Sequence, residues 1–458
     1  MSKYAIDLFC GAGGMSEGLI QSGFHILFSS DINEDVERTY TRRHHQLGLE
    51  QGVNTYFQRA DISELTGENI LGSIQRLSIF RGRDIPEIDA IFGGPPCQGF
   101  SLAGRRNRND PRNMLFREYV RVISEIEPKY VVMENVEGFL NTRLDGFIGL
   151  QGDVYANNSL VTEILYSELN AIGYTVLPTR VMDAAHFGVP QRRRRAIFLA
   201  YKNDETPPEY PLGNEEQITV AEAISDLRDE GDLFPQSNYQ LMSREGRTPT
   251  IIEASADDII FGDPLNNFND FNNHEISKHS SIVQERLSLF NEGESTVALI
   301  KRIQLQGLSN ISKNYPNLTN FSFKKQSNYQ TIEKMEEAFR DGSVPVDILK
   351  IFLSKKSNRY RLDRESVSPT VVTLPDDYIV PFDNRIPTVR ELARLQSFDD
   401  SFRFLGKRTT GGPRRRVEVP QYTQVGNAVP PLLAKAIADQ IMIALNHENI
   451  NNGHLTNI

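Results

Sequence analysis

The residues best suited to chemistry begin with a thiol. Cys97 follows Gly93-Gly94-Pro95-Pro96 and precedes Gln98-Gly99-Phe100-Ser101. Two glycines let a chain turn sharply or pass close to a ligand. Two prolines fix φ and remove backbone donors, so the loop is stiff. Such a loop is a poor place for a cysteine that merely packs, and Cys97 reads as a nucleophile acting through its thiolate. A carboxyl follows in Glu134-Asn135-Val136, and a set of cations in Gln191-Arg192-Arg193-Arg194-Arg195. In an extended chain successive side chains alternate. Arg193 and Arg195 then share a face that can point into a cleft, while Arg192 and Arg194 face solvent or phosphate. A wholly solvated basic run is the alternative.

The elements that must hold these groups read as alternating strands and helices. The apolar run Ile88 to Phe92 is a short buried strand, which sets Cys97 at a carboxyl end, where an open α/β sheet places its chemistry. Tyr130 to Met133 is the next buried strand, with Glu134 at its end. Neighbouring parallel strands there would bring thiol and carboxyl over one cleft. Between them Leu115, Tyr119, Val122 and Ile126 fall on one helical face, stopped by Pro128. Upstream, Tyr4 to Phe9 is a strand, Cys10-Gly11-Ala12-Gly13-Gly14 a turn and Met15 to Ile20 the start of a helix. This is the opening of a nucleotide-binding βαβ unit. A second strand, Phe24 to Ser29, leads to Asp31, placed to accept from ribose hydroxyls. A third ends at Ala60-Asp61-Ile62, with Asp61 placed to accept from an adenine amino group. The turn lacks the third glycine of a dinucleotide fingerprint, which suits a cofactor with no phosphate to cradle, such as an adenosyl sulfonium. Farther on, Tyr174 to Met182 and Ala196 to Tyr201 read as two strands joined through the arginine run.

The chain has 458 residues, 39% hydrophobic and 24% charged, enough for two or three domains with ample core. Two cysteines, Cys10 and Cys97, exclude a disulfide framework or a cysteine-based zinc module and suit a reducing compartment. No metal site is expected. A net charge of -10 argues against a uniformly basic coat but leaves room for a local basic groove. No signal peptide or membrane-spanning run is visible, so a cytoplasmic protein without a membrane partner is expected.

Beyond Lys202 the strand–helix alternation gives way to Asn-, Ser- and acid-rich sequence up to about Arg359. A segment this long is improbable as a loop and reads as a second domain, residues 203–359, inserted between residues 1–202 and 360–458. Lys324, Lys325, Lys355, Lys356 and Arg359 are its weak candidates for nucleic-acid contact. Ser368-Pro369-Thr370-Val371-Val372 reads as a rigid turn into a strand, and Thr388-Val389-Arg390-Glu391 as a capping box opening a helix through Leu395. Asn427 precedes Pro430-Pro431 and a helix carrying Leu433, Ile437, Ile441 and Ala444. Two basic tracts, Arg105, Arg106, Arg108 and Arg112 after Ser101, and Arg408 with Arg414 and Arg415, read either as phosphate contacts or as solvated loops.

Taken together, Asp7-Leu8-Phe9-Cys10-Gly11-Ala12-Gly13-Gly14, Pro95-Pro96-Cys97-Gln98-Gly99-Phe100-Ser101, Glu134-Asn135-Val136, Gln191 to Arg195 and Gln424-Val425-Gly426-Asn427-Ala428-Val429 resemble the DNA cytosine-5 methyltransferases, particularly the bacterial restriction–modification type. The pieces span almost the whole chain in the family's order. The resemblance implies an α/β fold, a Rossmann-like S-adenosylmethionine-dependent methyltransferase sheet, mostly parallel with one antiparallel strand. The inserted segment would be a smaller target recognition domain reading the major groove. S-adenosylmethionine would be held by Phe9, Gly11, Ala12, Gly13 and Gly14, with Asp31 on its ribose, Ile32 on an adenine face and Asp61 on the adenine amino group. Ile62, Gly94, Pro96, Leu115, Asn427, Ala428 and Val429 would complete the pocket. Asp31 and Ile32 stand where the family often has Glu and a large aromatic, which is expected to weaken cofactor binding somewhat.

The implied chemistry is a Cys97 thiolate adding to carbon 6 of a cytosine, which makes carbon 5 able to take the sulfonium methyl group. Glu134, protonated or sharing a proton, would stabilise charge at ring nitrogen 3 and recognise the Watson–Crick edge, which needs its pKa raised by burial in the pocket. Arg195 would bond the cytosine carbonyl, with Arg193 in support. The product cofactor is S-adenosylhomocysteine. The target base must leave the duplex, with Ser101 and the arginine loop closing over it. The expected partner is double-stranded DNA in the bacterial nucleoid, with a cognate restriction endonuclease in a restriction–modification system, or none for an orphan methylase. The protein is expected to be a monomer. A transfer-RNA methylase, a catalytically silent DNA-binding relative and a nicotinamide oxidoreductase are the rival readings. The long insertion, the joint presence of Cys97 and Glu134, and the glycine spacing respectively speak against them.

Overall fold

The computed structural model describes residues 2–96, 115–228, 235–268, 271–354, 356, 358–410, 414 and 417–455, the last eight by backbone alone. Cys97 and Ser101, the arginines at 105, 106, 108 and 112, Lys355 and Arg415 lie outside the described residues.

The first half alternates strand and helix: β1 (Lys3–Leu8), α1 (Gly14–Gln21), β2 (Phe24–Asp31), α2 (Glu34–Gln46), β3 (Tyr56–Arg59), α3 (Gly67–Gln75), β4 (Ala90–Gly93), α4 (Leu115–Ile126), β5 (Tyr130–Val136) and α5 (Val161–Ala171). Local chemistry sets the ends. Asn33 caps α2 by accepting from the Asp35 and Val36 amides, with Glu34, Asp35 and Glu37 in the first turn and Arg43, His44 and His45 in the last, which matches the helix dipole.

The strands lie in the order β3-β2-β1-β4-β5, all parallel. Arg194–Lys202 runs antiparallel beside β5 and carries Tyr174–Val176 and Arg180–Asp183 on its other edge. The α/β sheet, mostly parallel with one strand reversed, is thus the fold that the sequence leads one to expect. The single run expected over 174–182 is interrupted, because Pro178 has no N–H to give a ladder.

Side chains alternate between the two sheet faces. Ile6, Leu8, Ile91, Val131, Met133 and Phe198 join one core with α3, α4 and α5. Ala5, Phe92, Tyr130, Val132, Ile197 and Leu199 join the other with α1 and the C-terminal helix Pro431–Leu455. A bulge in β2, where the register passes from Ala5–Ile26 to Ile6–Phe28, leaves Leu27 and Phe28 on the same face.

The C-terminal helix lies against α1, and Leu433, Ile437, Ile441 and Ala444 are buried there. Gly14 and Gly18 permit this approach: a Cβ on either would strike the Val429 carbonyl, or the backbone of Pro431 and Lys435. By length and composition the stretch Gln421–His447 could cross a membrane, but most of it is buried inside this fold.

The segment after Lys202 feeds several cores. The hairpin Pro249–Ala254 with Ile259–Pro264 packs onto the α1 face of the sheet, and its Ile251 amide bonds to Leu47 O at 2.6 Å. Val220, Ile224, Leu227 and Tyr239 share a core with Leu392, Phe398, Phe402, Tyr422 and Val425. Helices between Ser281 and Leu353 enclose a separate apolar core of Leu287, Leu299, Ile303, Leu318, Met335, Phe339, Ile348 and Phe352. Lys356 pairs with Asp376 and Asp377, and Arg359 is buried, so these two cations are turned to the protein itself. The expected strand at 368–372 does not form. That segment docks on the arginine run instead, through an isolated bridge between Ser368 and Gln191 and bonds from Thr370 and Val371 to Arg192 and Gln191.

Candidate active site

One row of paired residues crosses the sheet: Gln58, Ser30, Leu8, Gly93, Met133 and Phe198. Directly beyond it, at the carboxyl ends, stand Asp31, Phe9, Gly94 and Glu134. The strand order reverses between β1 and β4, the switch point at which open α/β sheets bind ligands.

Left of the switch point lies the glycine turn. Phe9, Gly11 and Gly13 all have positive φ, at 58°, 53° and 98°. This coil lets the Gly11 amide donate to Asp31 Oδ2 at 3.1 Å, while Asp31 Oδ1 accepts from the Asn33 amide at 2.9 Å. Burial raises the Asp31 pKa, and these two amides oppose the rise. A Cβ on Gly11 would meet no atom within 4 Å, so open space lies against the turn. Ile32 next to it is 65% exposed, an apolar side chain facing outward beside that space. Ile62 is buried, and Phe9, Ala60 and Leu115 are half-buried on one core. Asp61 accepts from the amide and hydroxyl of Ser63 through Oδ1. Ala12 and Ala428 share a second core, Val429 abuts Gly14, and exposed Asn427 ends the helix Gln421–Asn427. Of these, Ala428 and Val429 meet the turn directly, since a Cβ on Gly14 would press on both.

Right of the switch point, β4 and β5 are parallel neighbours, Gly93 facing Met133. Glu134 Oε2 would lie 3.3 Å from a Cβ on Gly94, and Asn135 Nδ2 donates to Pro95 O at 3.1 Å. The carboxyl thus overhangs the backbone that leads through exposed Pro96 to Cys97. Across the antiparallel pair Glu134 faces Ile197, so Arg195 is its diagonal neighbour on the same face. Arg195 Nε meets Glu134 Oε1 at 2.6 Å, both side chains about 12% exposed. Arg193 is buried beside them, and its Nε finds no hydrogen-bond partner among the described residues. Burial and the nearby Arg195 hold the Arg193 pKa well below the usual guanidinium range, with Glu134 opposing. The alternation expected of the run holds: Arg192 and Arg194 are exposed, Arg193 and Arg195 turned inward.

The other basic residues are placed differently. Arg408 donates to Glu275 O and Ser277 Oγ, Arg414 is exposed, and Arg117, beside the first basic tract, bonds to the carbonyls of Ile148 and Gly149. Cys10 is buried, which pushes its thiol pKa well up, so it is an inert thiol. Among the described residues no cluster of three His, Cys, Asp or Glu side chains could hold a metal ion.

Two features at the site escape a reading of the sequence. Asn135 anchors the proline loop. Asp7, under the glycine turn, opens a buried chain of hydroxyls: Ser16 Oγ to Asp7 at 2.5 Å, Ser16 to Tyr40 at 2.7 Å and Tyr40 to Ser29 at 2.5 Å. The only sequence signal for this chain is the polar residues interrupting otherwise apolar elements.

Residues 4–442 match the profile of the C-5 cytosine-specific DNA methylases. The chain belongs to this family. The enzyme is a DNA (cytosine-5-)-methyltransferase. It is 30% identical over 464 residues to the type II methyltransferase M.DdeI of Desulfomicrobium norvegicum, covering 97% of this chain and 89% of the relative. It is 32% identical over 451 residues to M1.HphI of Haemophilus parahaemolyticus, covering 96% and 87%. Among solved structures, one assigned as a DNA modification methyltransferase encoded within an E. coli prophage superposes with a TM-score of 0.61 at 23% identity, over 97% of this chain and all of the other. That likeness concerns the fold. The α/β architecture and the enzyme class expected from the motifs are both met.

Proposed function

We propose that this methylase transfers a methyl group from S-adenosylmethionine to carbon 5 of a cytosine turned out of duplex DNA, through a transient bond to Cys97. The observation that carries the reading is the pairing of Glu134 with Arg195 at the carboxyl edge of the sheet, against the loop that leads to Cys97. A buried carboxylate and two guanidiniums are a set of donors and acceptors able to read the Watson–Crick edge of a pyrimidine.

The open space against Gly11, the half-buried Asp31 carboxyl and exposed Ile32 fit an adenosyl group. Asp31 would hold the ribose, Ile32 an adenine face and Asp61 its amino group, with Phe9, Ala12 to Gly14, Ile62, Gly94, Pro96, Leu115 and Asn427 to Val429 around them. When bound, the cofactor supplies an electrophilic methyl group on a sulfonium. The chain does the rest. The Cys97 thiolate adds to carbon 6; as the ring electrons shift, Glu134 in its protonated form gives its proton to nitrogen 3, and Arg195 donates to the carbonyl oxygen. After transfer, loss of the carbon-5 proton restores the double bond and releases Cys97.

The inserted segment, residues 203–359, would carry target recognition; its helices between Ser281 and Leu353 enclose an apolar core of their own, which supports a separate unit there. Arg105, Arg106, Arg108, Arg112, Arg414 and Arg415 are proposed phosphate contacts. The naming of the curated relatives as type II methyltransferases supports a restriction–modification setting with a cognate endonuclease.

The test uses duplex DNA with 5-fluorocytosine at the target, whose fluorine cannot leave as a proton does. Wild-type enzyme with cofactor should form a denaturant-stable adduct. Cys97→Ser should form none and methylate nothing, while still binding S-adenosylhomocysteine. Full turnover by Cys97→Ser would refute the reading.

A further inference from the structure

Gln396 links two halves of the site that no single element spans. It follows the helix Val389–Leu395 and is wholly buried. Its Oε1 accepts from Gln191 Nε2 at 2.8 Å. Its Nε2 donates to Val425 O at 2.7 Å and more weakly to Ala428 O at 3.4 Å. Gln191, also wholly buried, gives its second N–H to Leu395 O at 3.1 Å and accepts from the Val371 amide at 2.6 Å. Both amide nitrogens therefore face oxygen acceptors. Turning over the Gln396 amide would set its oxygen against the Val425 and Ala428 carbonyls, so its orientation is fixed.

Each end of this link sits beside a group proposed to touch a reactant. Gln191 stands two residues before Arg193 and four before Arg195. The backbone between is pinned by the Arg192 amide on Ser368 O at 2.8 Å and by Thr370 Oγ1 on Arg192 O at 2.7 Å. At the other end, Val425 and Ala428 bracket Asn427. The next two residues continue the clamp. Ser397, at a φ of 67° unusual for a side-chain-bearing residue, accepts from the Leu432 amide at 3.2 Å. Phe398 packs where Gly14 meets Ala428.

We propose that Gln396 is a positioning residue for methyl transfer. Bonded at once to Gln191 and to the Val425 and Ala428 carbonyls, it fixes the spacing between the segment that carries Arg195 and the loop that carries Asn427. This rests on the reading that Arg195 meets the base and Asn427 the cofactor. A methyl donor and its acceptor must be aligned closely, and a shift of about 1 Å can lower a rate by about 10²-fold.

The test replaces the amide by a side chain of equal length, Gln396→Met. Single-turnover methyl transfer to duplex DNA is measured per active site, counted by S-adenosylhomocysteine binding, well below the melting temperature. The rate should fall about tenfold or more, with the KM for S-adenosylmethionine and for DNA changed less than threefold. A purely structural role would lower the melting temperature and the number of active sites but leave the rate per site intact. Ile441→Val, a core change remote from the link, is the control for that outcome. Gln191→Met breaks the link from its other end and should match Gln396→Met, and the double variant should be no worse than either. A rate per site within twofold of wild type in Gln396→Met overturns the proposal, as does failure of both single variants to fold. Arg195→Ala and Asn427→Ala are measured alongside. If neither affects activity, the underlying reading of the site has failed; if both do and Gln396→Met does not, only the role of Gln396 has.

Discussion

Two arginine–carboxylate groups in this enzyme are built to opposite ends. Arg394 lies wholly buried and spends all five N–H donors: on both oxygens of Asp226, both of Asp400 and the Ala223 carbonyl. Arg244 adds a second guanidinium to Asp226, and Arg390 bonds the carbonyls of Asn272, Asp399 and Phe402. Nothing is left for a ligand. At the sheet edge, Arg195 contacts Glu134 through Nε and its own neighbour's carbonyl through Nη1. Arg193 beside it keeps a buried, unbonded Nε among the described residues. Both groups are largely out of water. Spare hydrogen-bonding capacity, rather than burial or charge, separates the group that can receive a substrate from the one that joins elements distant in the chain.

The comparison can be broken most forcefully at Glu134. Glu134→Gln should lower the methyl-transfer rate by about 10²- to 10⁴-fold, the usual scale of a positioned acid or base, and leave the melting temperature nearly unchanged. Equal loss of stability and activity would erase the distinction. Arg394→Met should do the reverse. It leaves the buried Asp400 with only the more distant Arg390 and Asp226 with only Arg244, and should destabilise the fold by about 3–5 kcal/mol in denaturant titration, while properly folded molecules keep their turnover.

Asp7 sharpens the contrast because it has neither arrangement. It is buried, and among the described residues no cation pairs with it and its Oδ1 has no hydrogen-bond partner. Burial pushes its pKa up to about 7. A carboxyl whose folded pKa exceeds its unfolded value holds a proton that the unfolded chain releases, so its contribution to stability falls as pH rises from about 4 to about 7. Between pH 5 and 8 wild type should lose on the order of 2–3 kcal/mol relative to Asp7→Asn. Denaturation curves of the two proteins at both pH values check this, and parallel behaviour would show that Asp7 is ionised throughout.

The smallest effect is expected at Gly14. A Cβ there presses on the Val429 carbonyl, so Gly14→Ala should cost about 1–3 kcal/mol as overpacking does. Cofactor affinity, measured by calorimetry, should weaken with it.

Much of the edge was legible in the residue order. Arg192 to Arg195 alternate as an extended chain must, and the Thr388–Glu391 capping box forms with both of its bonds. The glycine turn and strand-end acids sit where spacing puts them, because each depends on a few consecutive residues. The Arg394 network was not legible. Asp226 is 168 positions from its partner, and no local period links them. The 368–372 segment misled because Thr370-Val371-Val372 has strand-forming residues, yet its Val371 amide is taken by a side chain, that of Gln191. The helices between Ser281 and Leu353 were hidden by a polar composition that only their packing, around Leu299, Met335 and Phe352, resolves.

The contact of Gly14 with Val429, and of Gly18 with Pro431 and Lys435, also bears on timing. A ribosome adds roughly 5–20 residues per second. The opening turn of the chain therefore waits on the order of twenty to eighty seconds for the segment that must close over it. Until then Gly14 and Gly18 lack the backbone that packs against them, and that face of the first helix stays uncovered.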